Sequence, residues 1–194
     1  MAELNETCYT GEDRYSDGDI EEKILEIVRS GRNIEEEKDR DFALLYHLSP
    51  VRENILSWYP FRPEGNCLEI GAGPGAITGV LCRKLRHVTA ADLSLRRCRI
   101  NLERHRDCDN LDIWAGNISD MKFPEKFDYV VLNGVFEYAG SFTEGPDPYL
   151  TFLQTCAGFL KEGGVLLTAI ENRIGLKYFS GAPEDHTEEY MDGL

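Results

Sequence analysis

Residues 67–78 (CLEIGAGPGAIT) combine one carboxylate with three glycines in a spacing that suits a small ligand. Glu69 stands two residues before Gly71, and Gly73 and Gly75 follow at alternate positions. Glycine tolerates positive φ angles and lets a ligand lie against the backbone, where a Cβ atom would collide. A carboxylate beside such a turn suits a ligand with a cationic amino group, whereas a pyrophosphate needs bare N–H groups. The stretch therefore predicts a ligand-binding turn.

A second carboxylate, Asp92, directly follows the apolar run of residues 87–91. A carboxylate that ends a strand can accept hydrogen bonds from both hydroxyls of an adenosine ribose. This feature fits S-adenosylmethionine (SAM) and a nicotinamide dinucleotide equally well. Gly71, Gly73 and Ala76 also match the relaxed dinucleotide pattern G-x-G-x-x-G/A. The glycine spacing alone therefore leaves both cofactors open, and the preceding carboxylate favours SAM.

The elements around these residues alternate between strand and helix, which is typical of a doubly wound parallel sheet. The apolar run before the turn predicts a buried strand, and Pro74 suits the first position of the following helix because its missing N–H would have no partner there. Gly163 and Gly164 are expected to end a later helix. The later strands are predicted at residues 87–91, 111–114, 126–132 and 165–170, with helices from Ser94 and over residues 148–160.

Residues 1–62 are predicted to form a helical extension that packs on the sheet or covers its pocket, and residues 63–194 the cofactor-binding domain. Residues 1–16 are polar and acidic, so we expect them to be poorly ordered unless something packs on them. The predicted helices of the extension run from Asp19, paired as a cap with Glu22, to Gly31, and from the cap Ser49 to Trp58.

Four features together resemble the class I SAM-dependent methyltransferases: the turn after Glu69, the position of Asp92, residues 133–138 (NGVFEY) and residues 159–164 (FLKEGG). The resemblance covers about residues 66–172. It implies a Rossmann-like α/β domain that binds SAM and transfers its methyl group. The Asn/Asp-Pro-Pro-Tyr/Phe quartet that family members use to methylate nitrogens of bases is absent from the sequence, which argues against a nucleic-acid substrate.

The resemblance also implies which residues hold each part of SAM. Asn117 stands where the family often has an acid that accepts from the adenine amino group; its amide oxygen could accept instead, and a plain loop is the alternative. Ile118 would pack on the adenine, and Asn133 would line the methionine end and the methyl-transfer point. The other implied contacts are Glu69, Gly71, Ala72, Gly73 and Gly75 at the methionine end and Asp92 and Leu93 at the ribose.

The flanking residues 45–61 and 171–187 resemble a bacterial subgroup whose members accompany, or are fused to, glycosyltransferases in surface-polysaccharide clusters. This likeness implies a sugar or glycan acceptor and an associated or fused glycosyltransferase. We expect a small-molecule or glycan acceptor that is methylated on oxygen. His186, beside Glu184 and Asp185, could act as a general base for a hydroxyl, because an imidazole titrates near neutrality. An ordered polar loop is the alternative for this segment.

The composition limits the classes of partner. With 21 Lys and Arg against 35 Asp and Glu, the net charge of −14 repels nucleic-acid backbones and anionic lipid surfaces. The six cysteines form no C-x-x-C pair and have no His at a zinc-ligand spacing, which predicts reduced thiols in the cytoplasm and no metal site. No apolar run approaches the ~20 residues that cross a bilayer, which predicts no membrane span.

The predicted sheet has five strands, whereas the sheet of class I methyltransferases usually has seven. The sequence after the fifth predicted strand is too short for a further helix and two strands. We expect either a fragment of a longer protein or a sheet edge that is completed by a partner or by the N-terminal segment. An uncovered edge would favour a homodimer. Three functions stay open: a SAM-dependent methyltransferase, an NAD(P)-dependent oxidoreductase of similar topology, and a non-catalytic SAM-binding or scaffolding module.

Overall fold

In the part of the chain that the structure describes, six parallel strands form one sheet in the order β1-β4-β3-β2-β5-β6. The structure is a computed structural model and describes residues 1–11, 18–31, 42–170, 175–183 and 190. The strands are β1 (Glu3–Cys8), β2 (Asn66–Ile70), β3 (His87–Asp92), β4 (Leu111–Gly116), β5 (Phe127–Asn133) and β6 (Leu160–Ala169). The helices are α1 (Asp19–Ser30), α2 (Phe42–Leu48), α3 (Asn54–Ser57), α4 (Thr78–Lys84), α5 (Leu95–Arg104), α6 (Ala139–Phe142), α7 (Pro148–Gly158) and α8 (Leu176–Phe179).

The central strands are apolar on both faces, which explains their place in the middle of the sheet. Every residue of β2 is buried, and β5 contains the fully buried run Val130, Val131 and Leu132. Parallel strands with helices on both faces need such continuous apolar runs, because neither face meets water. The chain order of the strands reverses between β2 and β5, and ligands of such sheets bind at this switch point. The predicted Rossmann-like α/β fold is confirmed.

The N-terminal strand β1 is one of the elements that the sequence did not reveal, together with α2, α6 and α8. The sequence predicts poor order for residues 1–16 unless something packs on them, and β4 is that partner for β1, with Glu3 opposite Asp112. The β1 sequence, ELNETC, has no apolar alternation. An edge strand is held mainly by backbone hydrogen bonds to its neighbour, so a hydrophobicity pattern does not detect it.

The helix after the glycine turn begins later than predicted. Helix α4 starts at Thr78 rather than near Pro74. Gly75 has a φ of 79° and therefore lies in the left-handed region, which a right-handed helix does not contain. The residues between Pro74 and Thr78 form turns, so the loop that follows β2 is longer than the sequence suggests.

The boundary between α7 and β6 also differs from the prediction of a helix over residues 148–160 and a turn at Gly163 and Gly164. Helix α7 ends at Gly158, and β6 begins at Leu160. Gly163 has a φ of 72° inside the strand, near the point where the pairing of β6 with β5 shifts register. These glycines therefore form an irregular first part of β6 and do not end the helix.

The N-terminal helices pack on the layer of helices beside the sheet, whereas the sequence predicts packing on the sheet itself or over its pocket. Ile24 and Ile27 of α1 and Leu44 and Leu48 of α2 form a buried cluster with Ile100 of α5. Burial of each such side chain stabilises the fold by about 1.5–3 kcal/mol. The division of the chain at residue 62 stays a prediction.

The ends of these helices agree with the sequence only in part, because Ser49 caps a short 3₁₀ helix over Pro50–Glu53 that precedes α3, where the sequence predicts one helix from Ser49 to Trp58. Gly31 ends α1 with a φ of 62°, and the Ser49 hydroxyl accepts a hydrogen bond from Val51 N at 3.3 Å. The predicted Asp19 cap is wrong, because Gly18 occupies the N-cap position and Asp19 lies inside the first helical turn. A carboxylate in that turn still interacts favourably with the positive end of the helix dipole.

The two edges of the sheet differ in what covers them. Strand β1 completes the edge at β4, so the N-terminal segment completes that edge and not the edge at β6. Within the described residues, β6 pairs with β5 alone. A longer chain or a partner at the β6 edge, including a second copy, stays a prediction.

A buried ion pair joins α1 to α5. The Glu21 side chain is 0% exposed and that of Arg97 is 9% exposed, and Arg97 Nε donates to Glu21 Oε1 at 2.7 Å. Arg96 brings a second guanidinium 3.7 Å from Glu21 Oε2. Loss of one member of such a pair leaves an uncompensated buried charge, which costs about 3–5 kcal/mol.

We therefore expect Glu21→Gln to lower the free energy of unfolding by about 3 kcal/mol. The matched control is Glu22→Gln, because Glu22 is 63% exposed and lies 3.8 Å from Arg96. Its loss should cost less than about 1 kcal/mol. Urea denaturation measures the free energy of unfolding of both variants. Equal losses would show that the buried ion pair of Glu21 contributes no more to stability than the exposed ion pair of Glu22.

Candidate functional site

A cavity of about 660 Å³ lies beyond the carboxyl ends of four neighbouring strands. Its volume is within the range of small-molecule and cofactor sites. The strands β2, β3, β4 and β5 each end at this cavity, which surrounds the switch point of the sheet. The lining residues that these strand ends contribute include Glu69, Gly71, Ala72, Gly73, Asp92, Leu93, Asn117, Ile118 and Asn133. The structure thus brings together every sequence-predicted cofactor residue except Gly75.

Glu69 is a buried acid at the end of β2, with 3% of its surface exposed. The Thr78 hydroxyl donates to Glu69 Oε2 at 2.7 Å, and Asn101 Nδ2 donates to the same hydroxyl oxygen at 3.1 Å. Burial raises the pKa of Glu69 to about 7, although the hydrogen bond from Thr78 favours the charged form. The carboxylate is therefore held in one orientation and titrates near neutrality.

Asp92 connects the ends of β2 and β3. Its Oδ2 accepts a hydrogen bond from Gly73 N at 2.8 Å, and its Oδ1 accepts from Ser94 N at 2.9 Å. Burial raises the pKa of Asp92, while these two backbone hydrogen bonds and the charge of Arg97 oppose the shift. One side chain thus fixes the glycine loop and caps the approach to α5.

The glycines of the loop have different neighbours. Gly73 has a φ of 54°, and a Cβ atom placed on it would have no heavy atom within 4 Å, so its backbone borders open cavity space. Gly75 is not among the residues that line the cavity. A Cβ atom placed on it would collide with the Asn101 side chain of α5. Gly75 therefore permits close packing of the loop on α5, and its predicted cofactor contact stays a prediction.

The two asparagines at the cavity differ in their hydrogen bonding. Asn117 Oδ1 accepts from Ser119 N at 3.0 Å and so caps the short turn after β4, while Ile118 beside it is 8% exposed. Asn133 Nδ2 is buried and has no hydrogen-bond partner among the described residues. Buried donors are almost always satisfied, so this N–H group marks a place where a ligand could accept a hydrogen bond.

Arg52 is a cavity residue that the sequence did not point to. It lies in the N-terminal extension, its guanidinium carbon is 4.0 Å from the centroid of the Tyr46 ring, and its Nη1 donates to Tyr46 O at 3.3 Å. In the described residues no carboxylate forms an ion pair with Arg52, although its charge partly offsets the effect of burial on the pKa of Glu69. No local motif announces this residue, because tertiary packing of the extension brings it to the cavity.

The extension covers part of the cavity, as predicted. Its contributions to the lining are Phe42, Ala43, Tyr46, His47, Arg52 and Ile55. The predicted base His186 lies outside the described residues. Within the described ranges, no group of three or more His, Cys, Asp and Glu side chains is arranged to bind a metal ion. No helix of that part of the chain combines the length and apolar character needed to cross a bilayer.

Comparison of the chain with curated proteins gives methyltransferases. A ubiquinone biosynthesis O-methyltransferase of Xanthomonas campestris pv. campestris is 26% identical over 160 residues, which cover 76% of this chain and 64% of the relative. A methyltransferase of Staphylococcus carnosus, described as uncharacterized, is 32% identical over 135 residues, which cover 70% of this chain and 58% of the relative. The chain thus spans less than two thirds of the length of these relatives.

Two solved structures share the fold. Phosphoethanolamine N-methyltransferase 1 of Haemonchus contortus, in complex with phosphoethanolamine and S-adenosylhomocysteine, has a TM-score of 0.58 at 21% identity and matches 79% of this chain and 34% of its own. DhpI, in its SAM-HEP complex, has a TM-score of 0.53 at 19% identity and matches 89% of this chain and 75% of its own.

The family comparison covers the strand ends and the glycine loop that line the cavity. The model of a family described as a methyltransferase domain matches residues 68–168, which include β3, β4, β5 and the glycine loop. Because this match extends over more than half of the sequence, the chain belongs to that methyltransferase-domain family.

Proposed function

We propose that this chain is the SAM-binding domain of a methyltransferase that transfers a methyl group to oxygen of a small-molecule acceptor. The observation that carries the proposal is the pairing of two acids in one cavity, the buried Glu69 near the end of β2 and the partly buried Asp92 at the end of β3, which accepts a hydrogen bond from Gly73 N. A carboxylate for an ammonium and a carboxylate for a ribose are the groups that SAM requires.

The amino-acid end of SAM carries an ammonium and a carboxylate, and the cavity offers a charge for each. Glu69 supplies the anion and Arg52 the cation, and their charges interact in the unliganded protein. The buried Nδ2 donor of Asn133 suits a carboxylate or carbonyl oxygen of the ligand. The Gly73 backbone, which borders open space, lets the ligand approach closely.

The adenosine end would lie between β3 and β4. Both Asp92 oxygens already accept one backbone hydrogen bond, and each carboxylate oxygen has a second acceptor site for a ribose hydroxyl. Ile118 offers an apolar surface to the adenine, and Leu93 lies beside it on the cavity wall. Asn117, which caps its own turn, would accept from the adenine amino group only through the second acceptor site of its oxygen.

The residues of this chain contribute positioning more than proton transfer. When bound, SAM supplies a methyl group that its sulfonium already activates. Glu69, Arg52 and Asp92 would fix both ends of the cofactor, so that its methyl group has one direction of approach. Residues of the N-terminal extension and of the segment after β5 line the cavity and would limit the directions from which an acceptor approaches. Alignment of two reactants in this way contributes several kcal/mol to catalysis, about 7–11 in favourable cases.

The two alternative functions, an oxidoreductase and a non-catalytic SAM-binding module, predict different experimental results. A nicotinamide dinucleotide is disfavoured because its pyrophosphate would meet the buried Glu69 carboxylate and because the family match is to methyltransferases. A non-catalytic SAM-binding module would bind the cofactor and transfer nothing. The glycan acceptor, the glycosyltransferase partner, the homodimer, the cytoplasmic location and the base His186 stay predictions.

Titration calorimetry with S-adenosylhomocysteine (SAH), the demethylated product of SAM, tests the proposal directly. We expect micromolar SAH binding and no NADH binding. Glu69→Gln and Asp92→Asn should each weaken SAH binding by about 1–3 kcal/mol, because each removes a charge-assisted hydrogen bond. Asp112→Asn on β4, a carboxylate outside the cavity lining, is the matched control and should leave the affinity unchanged. NADH binding without SAH binding would overturn the proposal.

The affinity for SAH should rise with pH between 6 and 8. Burial raises the pKa of Glu69 to about 7, so the free protein holds a proton on this group at pH 6 and must release it to bind an ammonium. With that pKa, the charged fraction rises from about one tenth at pH 6 to about nine tenths at pH 8, a roughly tenfold gain in affinity. Glu69→Gln should abolish this dependence; a variant that keeps it would show that another group titrates.

Replacement of Arg52 tests the second charge of the amino-acid end. Arg52→Gln should weaken SAH binding about tenfold, because a charge-assisted hydrogen bond contributes about 1.5 kcal/mol. The same variant should bind 5′-methylthioadenosine, which lacks the amino-acid group, as the unchanged protein does. Arg86→Gln, at a cation outside the cavity, is the matched control. An equal loss for both ligands would mean that Arg52 acts only through the shape of the site.

A further inference from the structure

Four aromatic side chains that are not among the predicted cofactor residues line the same cavity. Phe42 and Tyr46 come from α2, and Tyr138 and Phe142 come from the segment between β5 and α7. We call these four residues the aromatic wall. They reach the cavity from two elements far apart in the sequence, so the wall exists only in the folded chain.

The aromatic wall consists of two pairs with the same spacing. The ring centroids of Phe42 and Tyr46 are 6.2 Å apart with an interplanar angle of 31°, and those of Tyr138 and Phe142 are 6.5 Å apart with an angle of 50°. Each pair is separated by four residues, which puts both rings on one face of a helical turn. Two ring pairs therefore border one space from different elements.

The rings of α2 are not part of the hydrophobic core. Phe42 is 79% exposed and Tyr46 is 46% exposed, and neither belongs to a buried cluster of the described residues. The Arg52 guanidinium lies over the Tyr46 ring, so one face of that ring is already covered. Exposed apolar surface that lines a cavity is typical of a ligand site, because a ligand removes it from water.

We propose that the aromatic wall binds the methyl acceptor and that this acceptor is a hydroxylated aromatic ring. The proposal rests on the function proposed above and names its substrate class. An aromatic ring can pack in offset or edge-on geometry against all four side chains, and each such contact adds to the gain from burial. Tyr46 and Phe42 keep much of their surface exposed to solvent, so both rings gain when an acceptor covers them.

A sugar ring fits this part of the cavity less well. Besides the aromatic wall and the predicted cofactor residues, the lining of the cavity includes the apolar residues Ala43, Ile55, Ala139 and Ile170 and the polar residues His47, Glu137 and Thr143. A pyranose carries a hydroxyl on most ring carbons, and each hydroxyl needs a partner once it is buried. An aromatic ring with one or two hydroxyls needs fewer polar partners and gains more from the apolar walls.

The chemistry of a phenol also suits a site built for positioning. The bond between the methyl carbon and the sulfonium sulfur breaks with its electron pair on sulfur, and the methyl carbon forms a new bond to the acceptor oxygen. The hydroxyl proton passes to water. A phenol has a pKa near 10, like the tyrosine side chain, so it loses this proton far more readily than an aliphatic alcohol.

The experiment uses the chain saturated with SAH and measures acceptor binding by ligand-observed NMR, with catechol and methyl glucopyranoside as probes. We expect catechol to bind and the glucoside not to bind. Phe42→Ala should weaken catechol binding about fivefold while SAH affinity stays within twofold. Tyr46→Ala should weaken catechol binding by a similar factor, and its SAH affinity is measured separately because the Arg52 guanidinium lies over the Tyr46 ring. Tyr149→Ala is the matched control, because Tyr149 has the same 46% exposure as Tyr46 but lies outside the cavity lining.

Each result decides the proposal. Glucoside binding in preference to catechol, no catechol binding, or a catechol affinity that both variants leave unchanged would overturn the aromatic acceptor. SAH affinity, measured first on every variant, shows that the chain is folded. Failure of the unchanged chain to bind SAH would refute the proposed function before any acceptor is added, so the two failures are distinguishable. Phe42→Ala removes a ring that is 79% exposed, which keeps the test valid if Tyr46→Ala does not fold.

Discussion

The hydrogen bond from Gly73 N to Asp92 Oδ2 is the constraint on which the arrangement of the cavity depends. It fixes the loop after β2 to the end of β3, and the amides of Gly71 and Ala72 add two bonds to Ala91 O. A glycine loop without such ties would have many conformations, and ligand binding would bear the entropic cost of ordering it. The loop is therefore shaped before a ligand arrives.

The electrostatics of the cavity follow from its burial. Glu69 and Asp92 are acids that lie close to each other in a protein that already has a net charge of −14. Their charged forms are costly in the empty site, and a cationic ligand relieves that cost. The same low polarity makes hydrogen bonds inside the cavity stronger than those at the surface. The burial that makes the charged carboxylates costly in the empty site is therefore also what favours the binding of a cation.

Sequence reasoning recovers the parts of the molecule that local patterns determine. Glu69 and Asp92 stand at the ends of apolar runs, so their position at the sheet's carboxyl edge follows from the strand pattern alone. Arg52 and Tyr46 reach the cavity only because the extension packs against α5, and no spacing rule contains that information. The start of α4 differs from the prediction for a related reason. Gly75 packs closely on α5 with a positive φ angle, and local sequence does not contain that contact.

The pairing of β1 with β4 has a consequence for how the protein is made. Glu3 lies opposite Asp112, so β1 must wait until more than a hundred further residues have been synthesised before it can pair. Its last residue, Cys8, lies opposite Gly116, which borders the cavity. Contacts so distant in sequence form late in folding, because the long intervening loop must first be closed. Assembly of this part of the cavity therefore waits for the pairing of β1 with β4.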